Sequence, residues 1–174
     1  MSDKTHKPTI VCNSGPLIAL VSIDCLYILS RLYQRIIIPN AVYQEVTSSE
    51  DLTGAQQIAQ EPWIEKKSLK SSPDRLLRAE LGAGESDVIT LAMEIKASKV
   101  LIDERKARRI AKLIYSLSIT GTGGLLLRAK QNDIIKEVRP LLERMKANGY
   151  HLSDRLISRI AKEAGEVNEH GLKQ

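Results

Sequence analysis

The chain has no phenylalanine, a single tryptophan at Trp63 and five tyrosines in 174 residues, so aromatic stacking cannot organise its core. Hydrophobic residues still make up 43 %, which leaves an aliphatic interior of Ile, Leu, Val and Ala. Such a composition suits a parallel sheet buried between helices. No apolar run approaches the ~20 residues that a membrane span requires. The opening "MSDKTHKP" is polar and lacks the apolar stretch of a signal peptide. Cysteine is scarce as well: Cys12 and Cys25 form no CxxC, have no Cys/His spacing, and read as reduced core residues of a cytoplasmic protein.

Charge is unevenly placed. Residues 1–104 carry 11 Lys and Arg against 14 Asp and Glu, a net of −3; residues 105–174 carry 15 against 7, a net of +8, which together give the overall +5. A basic half beside an acidic half fits a polyanionic partner, although charge alone favours a plain solvated surface on exposed helices.

Short β-branched runs alternate with longer helical patterns. "TIVC" (9–12) is apolar throughout and predicts a central strand. "SGPLIALVSI" follows as a helix, with Ser14 as N-cap and Pro16 in the first turn, where a missing N–H costs little. "DCLYILSRLY" (24–33) gives a second short helix through Leu26, Leu29 and Tyr33. "RIIIP" (35–39) is a strand stopped by proline, Asn40 caps the helix "AVYQEV", "GAQQIAQ" adds a helical turn, and "WIEKKSL" (63–69) alternates as an edge strand. Then "GAGESDVITLAMEI" (82–95) is a helix, "KVLID" (99–103) a strand, and "ERKARRIAKLIY" (104–115) a helix. "LSIT" (117–120) is a last strand before the turn "GTGG" (121–124). "LLLRAKQND", "IKEVRPLLERMKANG" and "SDRLISRIAKEAG" are helical, the last two ending at glycines.

This alternation predicts one α/β domain over 9–165, with helices 133–165 appended, between a flexible start (1–8) and a frayed tail (166–174). Its open, mostly parallel sheet is covered by helices on both faces. Ligands in such folds bind beyond the carboxyl ends of the strands, near a topological switch point. Asn13, Asp103 and Thr120 all stand at strand ends.

Three acids come from three strand-to-helix segments. Asp103 ends "KVLID", where it serves either as a helix cap or as a site residue. Glu85 shares a helical face with Val88, Ile89 and Ala92, so its carboxylate lies on the stripe facing the sheet. Asp87, with Thr90 and Glu94, falls on the wetter side and is the second candidate there. Glu45 follows the "RIIIP" strand in the same way. Converging with Asn13, these carboxylates would repel one another and need a cation. An oxygen-only set selects Mg²⁺ or Mn²⁺ rather than Zn²⁺, because His6, His151 and His170 lack ligand spacing. Such an ion beside a basic surface suits phosphodiester hydrolysis.

In "ERKARRIAK", Ala107, Ile110, Ala111 and Ile114 make the apolar stripe, while Arg105, Lys106, Arg108, Arg109 and Lys112 project elsewhere. Arg105 and Arg109, four apart and directly after Asp103 and Glu104, can share a line of phosphates. "TGTGG" (120–124) is neither GxGxxG nor a P-loop, so a nucleotide-binding reading is weak. Thr120 or Thr122 more simply adds a hydroxyl to the polar pocket.

The order "IVCNSGPLIAL", "RIIIPNAVYQEV", "LGAGESDVITLAMEI", "KVLIDERKARRIA" and "LSITGTGGLLLRAK" resembles the PIN-domain superfamily. More narrowly it resembles the bacterial and archaeal PIN-like proteins near the VapC toxins, from about Thr9 through the C-terminal helices. The resemblance implies a three-layer α/β/α sandwich and metal-dependent cleavage of RNA by acids that hold Mg²⁺ or Mn²⁺. Asp103, Glu85 and Glu45 match the family's acids, and Thr120 its hydroxyl residue near the metal. Ser14, Asp87, Glu104 and Thr122 are the further candidates around them. A homodimer held inactive by a small antitoxin is implied as well. The departure is Asn13, where the family usually ends its first strand with Asp. An amide oxygen there can ligate, but without the charge, which weakens ion binding and hence activity. A catalytically weak module that binds RNA or a protein is the alternative.

Overall fold

The computed structural model describes residues 8–48 and 52–166. In chain order these form β1 (Thr9–Cys12), α1 (Ser14–Val21), α2 (Tyr27–Leu32), β2 (Arg35–Pro39), α3 (Asn40–Thr47), α4 (Leu52–Gln60) and β3 (Ile64–Lys67). There follow α5 (Arg75–Glu80), α6 (Ala83–Glu94), β4 (Lys99–Leu101), α7 (Arg105–Leu113), β5 (Ile119–Thr120), α8 (Thr122–Gln131), α9 (Arg139–Ala147) and α10 (Asp154–Glu163). The expected flexible start and most of the expected frayed tail fall on residues 1–7 and 167–174, outside the described residues. No helix among the described residues is long and apolar enough to cross a membrane.

The strands form one sheet in the order β3-β2-β1-β4-β5, every pair parallel. Parallel neighbours require crossovers, and the helices supply them, giving the three-layer α/β/α sandwich. Ile10, Val11 and Cys12 of β1, Ile36 to Ile38 of β2, and Val100 and Leu101 of β4 are buried, as central strands covered on both faces must be. The core is aliphatic, with Tyr33 its one aromatic side chain among the described residues. Burial pushes the Cys12 thiol far up, so it stays neutral and acts as a small apolar filler.

The chain divides into two compact units, residues 1–122 and 123–174. The sequence pattern predicts one domain with helices appended from 133, and the division between the two units falls after Thr122. "GTGG" is not a free turn, because Thr122 already begins α8. Within the second unit Gly123 lies against Ile160, where a Cβ would strike the isoleucine side chain. Glu166, expected to open a frayed tail, accepts hydrogen bonds from Lys130 Nζ and from the N–H groups of Val138 and Arg139.

Two caps differ from expectation. Asn13, not Ser14, occupies the N-cap position of α1. Pro39, not Asn40, precedes α3, its fixed φ of −70° serving the turn, and the Asn40 carboxamide donates to Ser68 Oγ at 2.9 Å. Helix α5 has no counterpart in the sequence pattern. It is six residues long, is capped by Asp74, which accepts from Leu77 N–H at 2.9 Å, and buries only Leu77.

Candidate active site at the switch point of the sheet

From β1 the chain builds outward through β2 and β3 on one side, and the sheet continues through β4 and β5 on the other. The switch point therefore lies between the carboxyl ends of β1 and β4, which is where such sheets open a crevice. Asn13 leaves β1 there and Asp103 follows β4 by two residues. The Asn13 N–H donates to Leu101 O at 3.0 Å, extending the strand ladder past Cys12. Its side chain makes no capping bond, is 6 % exposed, and leaves Oδ1 without a hydrogen-bond partner among the described residues. A buried, unbonded amide oxygen is costly, and strand ends that carry one usually serve something other than packing. Ser14 is half-buried at the start of α1.

Asp103 is not the cap of α7. Glu104 takes that place, accepting from Ala107 N–H at 2.6 Å, and so has a structural task of its own. Asp103 turns the other way. Its Oδ1 accepts from Thr122 N–H at 2.7 Å and its Oδ2 from the Thr122 hydroxyl. Gly121 makes this approach possible: a Cβ there would stand 2.7 Å from Asp103 Oδ1 and strike the Arg108 guanidinium. Thr120 lies further off in function, its hydroxyl turned to the Gly121 carbonyl at 3.3 Å.

The other acids gather at the start of α6. Glu45 reaches from α3 across to Gly84, where a Cβ would stand 2.6 Å from its Oε1. Glu85 folds back over Gly82, 2.6 Å from a Cβ placed there. Two bare glycines thus seat two carboxylates at one helix N-terminus, whose unpaired N–H groups favour negative charge. Burial raises the Asp87 carboxyl above its ordinary value; Arg78 pulls it down and the Glu45 carboxylate pushes it up, so Asp87 faces Glu45 electrostatically. The expected wetter side of α6 is only partly wet: Asp87 and Glu94 are half-buried, and Thr90 is buried. Thr90 is buried because its hydroxyl bonds Ser86 O within the helix, and Glu94 is occupied by the N–H groups of Lys70 and Ser71. The value of Gly82 and Gly84 was not read from the sequence, although a glycine on either side of Ala83 directly before Glu85 was the available signal.

Of the basic residues on α7, Arg105, Arg109 and Lys112 are exposed and free to meet a polyanion. Arg108 is half-buried and turns inward, its Nη1 donating to Ile102 O at 3.1 Å beside Gly121. It braces the strand end rather than standing on the outer face. Lys106 pairs with Glu80 at 2.8 Å.

Among the described residues, no three His, Cys, Asp or Glu side chains are grouped so as to hold a metal ion. The acids stand instead as Glu45 and Glu85 at the two glycines that open α6, and as Asp103 at the strand end next to that of Asn13. The donor chemistry still fits a hard divalent cation. All four candidates offer oxygen, and Asn13 Oδ1 is an acceptor without a donor. No curated protein matches the chain. A family model described as a PIN domain matches residues 9–166, nearly the whole sequence and all five strands. With that match over a parallel sheet whose polar side chains meet its switch point, the chain belongs to the PIN-domain family.

Proposed function

We propose that this PIN domain is a metal-dependent endoribonuclease whose active site is the crevice between the ends of β1 and β4. PIN domains are nucleases as a family, and the narrower reading rests on one observation above the others. Asp103 has both oxygens fixed by Thr122 at the strand end adjacent to that of Asn13, whose buried Oδ1 has no partner among the described residues. Asp103 and Asn13 at the strand ends would hold Mg²⁺ or Mn²⁺. Glu45 and Glu85 at the start of α6, with Asp87 on the same helix, would complete the shell by closing on the ion, since no three acids are grouped in its absence among the described residues. Such an ion would supply charge neutralisation at the phosphate and would ease loss of a proton from the attacking water. The chain's own residues do the rest: Thr122 orients Asp103, Arg108 braces the strand end, and Arg105, Arg109 and Lys112 draw in the RNA backbone.

The test is cleavage of a mixed single-stranded RNA pool with Mn²⁺, Mg²⁺ or EDTA, the native protein beside Asp103→Ala. Cleavage that needs the ion and disappears in the variant is expected; equal cleavage by both proteins overturns the assignment. The sequence resemblance to the VapC branch suggests a narrower form, in which expression of the native chain arrests growth, Asp103→Ala does not, and a small antitoxin partner relieves the arrest.

Asn13 favours a second reading, a PIN module that binds RNA with little turnover. RNA retained without cleavage in Mn²⁺, and cleavage gained by Asn13→Asp, is its signature. Cleavage already present in the native protein removes it.

A further inference from the structure

An open cleft of about 450 Å³ lies at the carboxyl edge of the outer strands, lined by Asn40, Tyr43, Gln44, Lys66 and Ser68. The register of the edge pair builds it. Ile38 faces Lys66 and Pro39 faces Lys67, so the chain leaves β2 into α3 directly beside the end of β3. The hydrogen bond from Asn40 Nδ2 to Ser68 Oγ continues that pairing one step beyond the strands. Tyr43, one turn into α3, then comes under the Lys66 ammonium, which sits 4.3 Å from the ring centroid.

We infer that this cleft seats an unpaired nucleotide of single-stranded RNA, the base on Tyr43 and the adjoining phosphate on Lys66. The inference rests on the nuclease reading above and names the form of RNA that reading leaves open. A half-buried tyrosine ring, carboxamides at Asn40 and Gln44 and a lysine make the set that reads an exposed base: a stacking face, paired donors and acceptors, and a cation for the backbone. The Gln44 carboxamide has no partner among the described residues, and Lys66 makes no ion pair among them, so both are available. An exposed cation held over a ring is worth less than a base stacked on it, so an arriving base displaces the ammonium toward its own phosphate. The cleft's openness suits a passing strand. Paired bases keep their faces covered, which excludes a duplex from the same seat. The cleft also adjoins the acids through α3: Gln44 lines it, and the next residue, Glu45, reaches Gly84.

The experiment is fluorescence anisotropy in EDTA, where no cleavage intrudes, with a fluorescein-labelled single-stranded RNA of mixed sequence and the same RNA annealed into a duplex. Tyr43→Ala is expected to weaken single-strand binding about fivefold or more. Tyr43→Phe should bind as the native chain does, and duplex binding should not respond to either change. Lys66→Glu, on an exposed strand edge with little bearing on folding, should also weaken single-strand binding. Undiminished single-strand binding by both Tyr43→Ala and Lys66→Glu overturns the cleft. The nuclease reading then still stands on cleavage by the native protein in Mn²⁺. Equal loss of duplex binding in Tyr43→Ala overturns the cleft as well, since stacking would not be what was lost. A native chain that binds neither RNA and cleaves none overturns both.

Discussion

Thr122 holds both oxygens of Asp103, its N–H on Oδ1 at 2.7 Å and its hydroxyl on Oδ2, across 19 residues of chain. The two bonds tie Thr122 to the segment leaving β4 and fix the carboxylate before any ligand arrives. Groups that orient a metal ligand are worth about 10–100-fold in affinity or activity. Thr122→Val keeps the N–H bond and the volume but loses the hydroxyl. We expect metal-dependent cleavage to fall within that range, at a stability cost of about 1 kcal/mol. Thr122→Ser should restore it. Cleavage by Thr122→Val at the native rate, with unchanged Mn²⁺ dependence, would show that the grip is structural only.

Asn13 answers to the opposite manipulation. Its Oδ1 is buried and unbonded among the described residues, so Asn13→Asp adds a charge where no donor waits for it. In EDTA that charge should lower stability by roughly 1–3 kcal/mol at neutral pH. Mn²⁺ should recover the loss, because a cation is the partner the carboxylate lacks. Thermal melts of both proteins with and without Mn²⁺ measure it. A variant that melts lower than the native chain and gains no more from the ion would remove Asn13 from the metal site.

Gly84 separates stability from site geometry. A methyl at this position would stand 2.6 Å from Glu45 Oε1, the far end of a flexible side chain on another helix. The helix itself gains about 1 kcal/mol from alanine over glycine. Gly84→Ala should therefore melt at or above the native temperature while cleavage, or Mn²⁺ affinity read by calorimetry, declines. Unaltered cleavage would mean that Glu45 works from wherever it is pushed.

Much of the fold was legible because its strands are apolar runs between clear stops. "TIVC" and "RIIIP" have the bounds the sequence suggests. "KVLID" reads two residues too long: Ile102 still donates its N–H to Thr120 O, but Asp103 has already turned to Thr122. Helix α5 was invisible, since six residues with one buried leucine have no period to detect. Polarity misled at Thr90, whose hydroxyl is satisfied inside its own helix and leaves the side chain free to be buried. In the candidate site, Asn13 and Asp103 could be found from strand ends alone, and Thr122 stood out only as a nearby hydroxyl. What Thr122 does depends on a contact that no local spacing encodes, and the same holds for Glu45 against Gly84.

Glu166 makes the pH dependence of the second unit predictable. Helix α9 has Val138 at its N-cap position and no capping side chain of its own, and Glu166 supplies the missing acceptor to the N–H groups of Val138, at 2.6 Å, and Arg139, at 2.8 Å. Burial alone would raise its carboxyl; the Lys130 ammonium and these two N–H groups outweigh burial and hold it below the ordinary glutamate value. A depressed acid contributes its stability in full above the unfolded value of about 4.3 and loses it as pH falls through the lower folded value. Glu166→Gln keeps an acceptor but gives up the charge. Its melting temperature should lie below the native one at about pH 7, with a smaller gap at a pH below the lowered folded value, because the native carboxyl is then protonated too. The melts should be repeated in high salt, which screens the partly exposed Lys130 more than the two backbone bonds. A gap that is the same at both pH values would mean that Glu166 holds α9 by shape and not by charge.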